Sequence, residues 1–199
     1  MHFAQEAQHY LNRLKAVMDD LDLTVYARVV DDLLDAWRRQ ARIFVMGNGG
    51  SGATASHLAC DINKGCCFDL DRKFKMICLN DNMPTVLALA NDVSYEAVFE
   101  EQLKNFLEPA DLVIGISGSG NSPNVLRAIA YAAAHGGRTQ GWCGFGGGNL
   151  AGLVDLALVV PSDDMQQVED THIIVAHMLM QSLTKALRGG EAPACTLRE

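Results

Sequence analysis

Apolar side chains recur at steps of three and four residues through the first forty positions of the chain. This spacing places them on one face of a helix and is typical of amphipathic helices. The pattern predicts two helices within residues 1–40, the second running from about Thr24 to Arg39. The apolar positions are Tyr10, Leu11, Leu14, Val17, Met18 and Leu21 in the first helix and Val29, Val30, Leu33, Leu34 and Trp37 in the second.

From residue 41 onward, short apolar runs alternate with helical patterns. The predicted strands are 42–46, 73–79, 111–116, 138–143 and 155–160, and the predicted helices are 51–63, segments within 84–106, 122–135 and 165–187. This alternation favours an α/β fold in which a parallel sheet carries helices on both faces. A chain of 199 residues can form one domain with a sizeable core. We therefore predict a single domain at 1–188, with N-terminal helices at 1–40, an α/β core at 41–188 and a flexible tail at 189–199.

Two loops rich in glycine and serine follow two of the predicted strands. Residues 47–52 read Gly-Asn-Gly-Gly-Ser-Gly, and residues 117–122 read Ser-Gly-Ser-Gly-Asn-Ser. We call these segments the serine–glycine loops. Ligands of open parallel sheets bind beyond the carboxyl ends of the strands, and the helix after each loop offers free N–H groups to an anion. The loops therefore predict a phosphate site, which a third glycine cluster at 144–148 is expected to border.

The formal net charge of −8 limits the partners that the protein is expected to bind. Nucleic acid and anionic membrane surfaces both require a basic face, so neither is expected. A phosphate would have to be held by local dipoles and hydroxyl groups, which the loops supply. The six cysteines show no CxxC spacing, and no apolar stretch is long enough to cross a bilayer. Together with the absence of a signal-peptide pattern, these features predict a reduced, cytoplasmic protein.

The first serine–glycine loop also matches the dinucleotide-binding pattern G-x-G-x-x-G. Asp81 lies at the end of the next predicted strand, where a carboxylate that binds a ribose would belong. However, a single match of this kind is weak, and a simple nicotinamide site has no use for the second, hydroxyl-rich loop. We therefore expect no nucleotide cofactor.

Histidines and carboxylates share helix faces close to the loops. His57 and Asp61 are four residues apart on the helix after the first loop, and Glu169 and His177 are eight apart on the last helix. Imidazole and carboxylate groups together form a plausible four-ligand zinc site. A histidine in a helix can equally be a partly buried polar group with satisfied hydrogen bonds. His172 lies on a different face from His177, and we expect its role to be structural.

The loops and histidines together resemble the sugar isomerase (SIS) domain family, and most strongly its phosphoheptose isomerases. The likeness extends from the N-terminal helices to about Leu187. The matching motifs are Gly47-Asn48-Gly49-Gly50-Ser51, Ser56-His57-Leu58-Ala59, Asn91-Asp92, Ser117-Gly118-Ser119-Gly120-Asn121-Ser122, and Val168-Glu169-Asp170-Thr171-His172 with His177. The resemblance implies a five-stranded parallel sheet of the Rossmann-like kind with an N-terminal helical extension. It also implies a homotetramer whose active sites lie between subunits.

The resemblance implies a zinc site formed by His57, Asp61, Glu169 and His177. The two histidines match the family directly, whereas Asp61 stands where the family has glutamate and Glu169 where it has glutamine. By the same likeness Asp61 is the base and His177 the acid of an aldose–ketose isomerisation through an enediol. The implied reaction converts sedoheptulose 7-phosphate to glycero-manno-heptose 7-phosphate. An aspartate is one methylene shorter than a glutamate, and a displacement of about 1 Å can reduce a rate roughly a hundredfold.

The resemblance assigns the remaining site residues to the sugar phosphate. Four hydroxyl groups are expected to hold the phosphate, with asparagines shaping the loops: Ser51, Ser117, Ser119 and Ser122, and Asn48 and Asn121. Gly49, Gly50 and Gly118 give the backbone close access to it. Asp92 either bonds sugar hydroxyls or is a solvated loop residue. Two alternatives remain: a sugar-phosphate-binding adaptor without catalysis, and an isomerase that acts on a different phosphosugar.

Overall fold

The N-terminal part of the chain forms the two helices that its periodicity predicts. The structure is a computed structural model and describes residues 2–189, so the predicted tail beyond Gly189 lies outside the described residues. Helix α1 spans Phe3–Asp19 and helix α2 spans Leu23–Arg39. Asp22 caps α2, because its Oδ1 accepts hydrogen bonds from the N–H groups of Thr24 and Val25 at 2.8 and 3.1 Å.

The α/β region contains one five-stranded sheet and the helices that connect its strands. The strands are β1 Ile43–Gly47, β2 Met76–Cys78, β3 Leu112–Ile116, β4 Arg138–Cys143 and β5 Leu156–Val159. The helices are α3 Gly49–Cys60, α4 Met83–Asp92, α5 Glu100–Phe106, α6 Pro123–Ala134, α7 Gly148–Ala151 and α8 Met165–Leu187. A π-helical turn at Asp61–Cys66 continues α3, and short 3₁₀ turns lie at Tyr95–Ala97 and Phe145–Gly147.

The sheet is parallel throughout, with strand order β2-β1-β3-β4-β5. The first two strands in the chain are therefore neighbours, and β3 crosses over to the other side of β1. Gly47 at the end of β1 is in register with Ile116 at the end of β3. Because adjacent parallel strands end together, this register brings both serine–glycine loops to the same edge of the sheet.

Each face of the sheet has its own apolar core. Strand β1 contributes to both, since Ile43 and Val45 face one core while Phe44 and Met46 face the other. The first core also contains side chains of α2, α3 and α8, and the second contains side chains of α5, α6 and α7. This three-layer arrangement confirms the predicted α/β fold with a five-stranded parallel sheet and an N-terminal helical extension.

Several predicted elements are slightly shorter in the structure, and two of these differences have a clear physical reason. Strand β2 begins at Met76 rather than at residue 73, because the N–H of Phe74 donates to Cys67 Sγ at 3.4 Å instead of joining the sheet. The α-helical part of the predicted helix 51–63 ends at Cys60, where the π-helical turn begins. Within residues 2–189, no helix combines the length and the apolar character needed to cross a bilayer.

Candidate active site

The first serine–glycine loop is a tight connection between β1 and α3. A Cβ atom on Gly47 would lie 2.7 Å from the carbonyl carbon of Ser51, and Gly49 adopts a φ of +52° that L residues rarely take. Asn80 braces the turn, because its Nδ2 donates to the Gly47 carbonyl at 2.7 Å and its Oδ1 accepts from the Gly47 N–H at 3.2 Å. The loop is therefore held by backbone geometry and by one side chain from the end of β2.

Asn48 joins the two loop regions. Its side-chain amide forms a reciprocal pair with that of Asn124 on α6, and both hydrogen bonds measure 2.9 Å. The hydroxyl of Tyr95 donates to Asn48 Oδ1 at 2.9 Å as well. The side chain of Asn48 makes no capping hydrogen bond to α3. Asn48 therefore connects the first loop to α6, the helix that follows the second loop.

Hydrogen bonds within the second serine–glycine loop determine its shape. The hydroxyl groups of Ser117 and Ser122 lie 2.9 Å apart, and Ser119 Oγ accepts from the Asn121 N–H at 3.2 Å. Asn121 Oδ1 accepts from the N–H of Asn149 at 3.0 Å, so this side chain connects the loop to α7.

The third glycine cluster packs directly against the second loop, although none of its residues lines the cavity between the loops. A Cβ atom on Gly120, where φ is +66°, would collide with the carbonyl oxygen of Gly147. A Cβ atom on Gly148 would lie 2.5 Å from the carbonyl oxygen of Ser119. The N–H of Gly144 donates to the Gly118 carbonyl at 2.8 Å. Only glycine allows the two backbones to approach so closely.

The two loops enclose a cavity of about 270 Å³ at the edge of the sheet. The cavity is lined by residues of both loops, of the end of β3 and of α8. These residues are Asn48, Gly49, Gly50, Ser51, Ile116, Ser117, Gly118, Ser119, Ser122, Met165 and Glu169. Asn121 and Asp92 are not among the residues that line it. The carboxylate of Asp92 is exposed and accepts a hydrogen bond from Asn91 Nδ2 at 2.8 Å.

Three potential metal ligands meet on α3 and α8. His57 Nε2 lies 2.9 Å from His177 Nε2 and 3.2 Å from Asp61 Oδ2, and the three ligand atoms all lie within 4.8 Å of one another. We call these residues the His–Asp–His group. It is open to solvent, since the side chain of His57 is 44% exposed and that of Asp61 is 18% exposed. Two imidazoles and a carboxylate in this arrangement suit Zn²⁺, which catalytic sites bind with three protein ligands.

Glu169, the fourth predicted ligand, lies at the loops rather than in the His–Asp–His group. A Cβ atom on Gly50 would lie 2.5 Å from Glu169 Oε1 and Cδ, which places the carboxylate against the first turn of α3. The same side chain lines the cavity between the loops. The structure thus brings three of the four predicted ligands together and places the fourth beside the predicted phosphate site.

Asp61 begins the π-helical turn, which is anchored on both sides. Asn63 Nδ2 donates to the Met76 carbonyl at 2.8 Å, and its Oδ1 accepts from the Met76 N–H at 3.1 Å, so the turn is attached to β2. On the other side, Cys66 Sγ donates to the Met180 carbonyl of α8 at 3.5 Å. Burial raises the pKa of the Cys66 thiol to about 12, so the thiol is protonated at pH 7. π-Helical turns occur frequently at functional sites.

Two further residues from the sequence analysis lie outside the site. Asp81 Oδ1 accepts a hydrogen bond from Ser56 Oγ at 2.6 Å, so this carboxylate is bonded to α3. His172 is fully buried with its ring 6.2 Å from that of Trp142, and neither ring nitrogen has a hydrogen-bond partner among residues 2–189. Burial lowers its pKa to about 4, so the ring is neutral at pH 7. It is a core residue, in line with the structural role expected.

Sequence reasoning missed three residues that position the loops, namely Asn80, Tyr95 and Asn124. Asn80 directly follows the last predicted residue of β2, and Asn124 lies two residues after the second loop. Because both asparagines lie next to a predicted strand end or loop, they could have been selected from the sequence as residues that hold the loops. Tyr95 had no such signal, because it reaches Asn48 across a separation of 47 residues.

Comparison with known proteins identifies the family. The family model described as "SIS domain" matches residues 2–141. The chain belongs to the SIS domain family. It is 41% identical to the phosphoheptose isomerase of Pelobacter propionicus over 162 residues, which cover 81% of this chain and 85% of that protein. It is 34% identical to the phosphoheptose isomerase of Trichlorobacter lovleyi over 187 residues, which cover 94% of each chain.

Solved structures of this SIS family share the fold. The phosphoheptose isomerase of Neisseria gonorrhoeae matches with a TM-score of 0.84 at 24% identity, covering 92% of this chain and 98% of that one. The enzyme from Francisella tularensis matches with a TM-score of 0.85 at 23% identity, covering 93% and 100%. The predicted likeness to phosphoheptose isomerases is confirmed, and with it the prediction of an isomerase-like enzyme.

Proposed function

We propose that this SIS protein interconverts sedoheptulose 7-phosphate and glycero-manno-heptose 7-phosphate. The observation that carries the proposal is the His–Asp–His group on the same two helices, α3 and α8, that border the cavity between the serine–glycine loops. This arrangement supplies acid–base groups and a phosphate site on the same pair of helices. The names of the relatives support the choice of a seven-carbon substrate.

The loops suit a phosphate without any lysine or arginine. Among the residues that line the cavity, Ser51, Ser117, Ser119 and Ser122 supply hydroxyl groups. The first turn of α3 adds N–H groups and the positive end of the helix dipole. Binding the phosphate here fixes one end of the sugar and directs the other toward the His–Asp–His group.

The acid–base groups of the isomerisation belong to α3 and α8. In our proposal the carboxylate of Asp61 removes a proton from one of the two adjacent sugar carbons and returns it to the other through an enediol. The imidazole of His177 exchanges a proton with the neighbouring oxygen. A carboxylate and an imidazole are suited to these two tasks near neutral pH.

His57, Asp61 and His177 would hold a Zn²⁺ ion, with Glu169 as the fourth predicted ligand. When bound, the ion would polarise the sugar carbonyl and stabilise negative charge on its oxygen. His57 keeps its imidazole facing both Asp61 and His177, so it would orient the two acid–base groups as well as bind the metal.

We further propose a cytoplasmic homotetramer with active sites between subunits. Support comes from α4, which is apolar but contains no buried residue. Met83 and Leu87 on this helix are 54% and 61% exposed. An exposed apolar helix is typical of a surface that another chain covers. Light scattering of the purified protein would test the assembly.

The proposed reaction is tested by a proton NMR time course with sedoheptulose 7-phosphate. The protein is treated with a chelator, measured, and measured again after one equivalent of Zn²⁺ is restored. We expect the aldose signals to appear only in the second sample. If neither sample forms product but the sugar-phosphate signals still broaden, the protein binds sugar phosphates without acting on this one, which contradicts the proposed reaction.

A further inference from the structure

The carboxylate of Glu169 lies beside the position where the proposed function places a phosphate. It packs against Gly50 in the first turn of α3 and lines the same cavity as Ser51 and Ser119. The N-terminal end of a helix attracts any anion, a carboxylate as well as a phosphate. Glu169 therefore already supplies the negative charge that this end of α3 favours.

A bound phosphate and the Glu169 carboxylate would repel each other in this position. The cavity has a volume of about 270 Å³, and its lining contains no basic side chain that could neutralise two neighbouring anions. Repulsion between the two anions therefore favours displacement of the carboxylate from the first turn of α3 when a phosphate binds. The energy of that displacement weakens the binding of phosphate.

The natural destination for the displaced carboxylate is the His–Asp–His group, because His57 lies on α3 and His177 lies with Glu169 on α8. Glu169 lies against Gly50 at the start of α3, and His177 lies 2.9 Å from His57 further along the same pair of helices. A divalent cation in the His–Asp–His group would attract the carboxylate in this direction, and a carboxylate is a ligand type that zinc accepts.

We propose that Glu169 is a built-in competitor for the phosphate site and that metal binding relieves the competition. The metal and the phosphate then bind cooperatively, because each favours the same position of one side chain. Cooperativity of this kind is reciprocal, so phosphate also tightens the binding of the metal. The inference rests on the proposed function, since it takes the serine–glycine loops to be a phosphate site. A glutamine in place of Glu169 has no charge and would not compete.

Calorimetric titration with inorganic phosphate tests the proposal in the intact protein. The wild type, Glu169→Gln and Asp170→Asn are each titrated without metal and after loading with one equivalent of Zn²⁺ and removal of the excess. Asp170→Asn is the matched control, because it removes the same charge one residue away, where the carboxylate accepts a hydrogen bond from Tyr10 on α1 at 2.7 Å. Glu169→Ala is measured as a second variant in case the amide adopts a new contact.

Without metal, we expect Glu169→Gln and Glu169→Ala to bind phosphate about tenfold more tightly than the wild type, within the range typical of such couplings. Zn²⁺ should tighten phosphate binding about tenfold in the wild type and in Asp170→Asn, but less than threefold in the two Glu169 variants. Equal affinities in all variants, or an equal effect of Zn²⁺ on all of them, would overturn the role of Glu169 and leave the phosphate site intact. If no variant binds phosphate at all, the proposed function fails together with this inference.

Discussion

The serine–glycine loops and the His–Asp–His group lie on the same elements but are built in opposite ways. In the loops, Ser51 and Ser117 are almost fully buried, and the second loop's side chains bond to one another and to the backbone. In the His–Asp–His group, the imidazole of His57 is 44% exposed, and the ligand atoms contact chiefly each other. The shape of the loops depends mainly on the backbone, whereas the His–Asp–His group depends on the positions of three side chains.

This difference indicates how binding and chemistry are divided in the molecule. A loop glycine that touches a neighbouring backbone cannot be replaced by a larger residue without shifting one of the two backbone segments. A half-exposed side chain on a helix surface can change while the helix remains in place. Substitutions in the loops should therefore reduce stability and phosphate binding together, whereas those in the His–Asp–His group should reduce turnover while leaving the stability of the metal-free protein close to wild type.

The largest expected effect comes from Asp61→Asn. Loss of the proposed base should reduce turnover of sedoheptulose 7-phosphate by about 10³-fold, within the range of general acid–base catalysis. In metal-free protein, the thermal midpoint and the affinity for inorganic phosphate should stay close to wild type, because Asp61 does not line the cavity. Asp31→Asn, an equal charge change at an exposed position of α2, serves as the control. Turnover that survives in Asp61→Asn would exclude Asp61 as the base.

Gly120→Ala should have the next largest effect, and on stability rather than on turnover alone. The added Cβ would collide with the Gly147 backbone at a φ of +66°, so we expect the free energy of unfolding to fall by about 2 kcal/mol or more. Gly146→Ala is the matched control, since Gly146 has a φ of +68° but no atom within 4 Å of the added Cβ. It should cost only about 1 kcal/mol. Chemical denaturation measures both, and equal losses would show that the close approach of the two backbones contributes nothing.

Tyr95→Phe should produce the smallest effect. It removes the hydrogen bond from the hydroxyl to Asn48 Oδ1 but leaves the reciprocal pair of Asn48 with Asn124 intact. We expect a loss of about 1 kcal/mol in unfolding free energy and a slightly weaker affinity for phosphate. Tyr131→Phe is the control, because the ring of Tyr131 packs on His135 away from the loops. If only Tyr131→Phe reduces stability, Tyr95 does not support the first loop.

Much of the fold could be predicted because its signals are local. Apolar steps of three and four residues predicted α1 and α2, and the buried runs around Phe44 and Val113 predicted β1 and β3. The resemblance of the loops and histidines to the SIS family is confirmed as well. The π-helical turn at Asp61–Cys66 was not predicted, because it depends on contacts with β2 and α8 that are distant in sequence.

In the candidate site, too, local spacing could be predicted from the sequence and contacts between distant residues could not. Helical spacing predicted that His57 and Asp61 share a face, and they lie 3.2 Å apart. The spacing of Glu169 and His177 could not show that the glutamate lies at Gly50, since this depends on how α8 packs against α3. The roles assigned to these residues remain predictions that the variants above will test.

The parallel α/β fold, the two serine–glycine loops and the residue types available for chemistry can all be recognised in the amino-acid sequence. These follow from periodicity and from the small residues that tight turns require, and both act over a few neighbouring positions. Three other features are visible only in the folded protein. The loops meet at one edge of the sheet, Asn124 and Tyr95 hold Asn48, and Glu169 lies beside the proposed phosphate site. Strand order and helix packing determine these contacts, and both depend on which apolar faces are buried together across the whole chain.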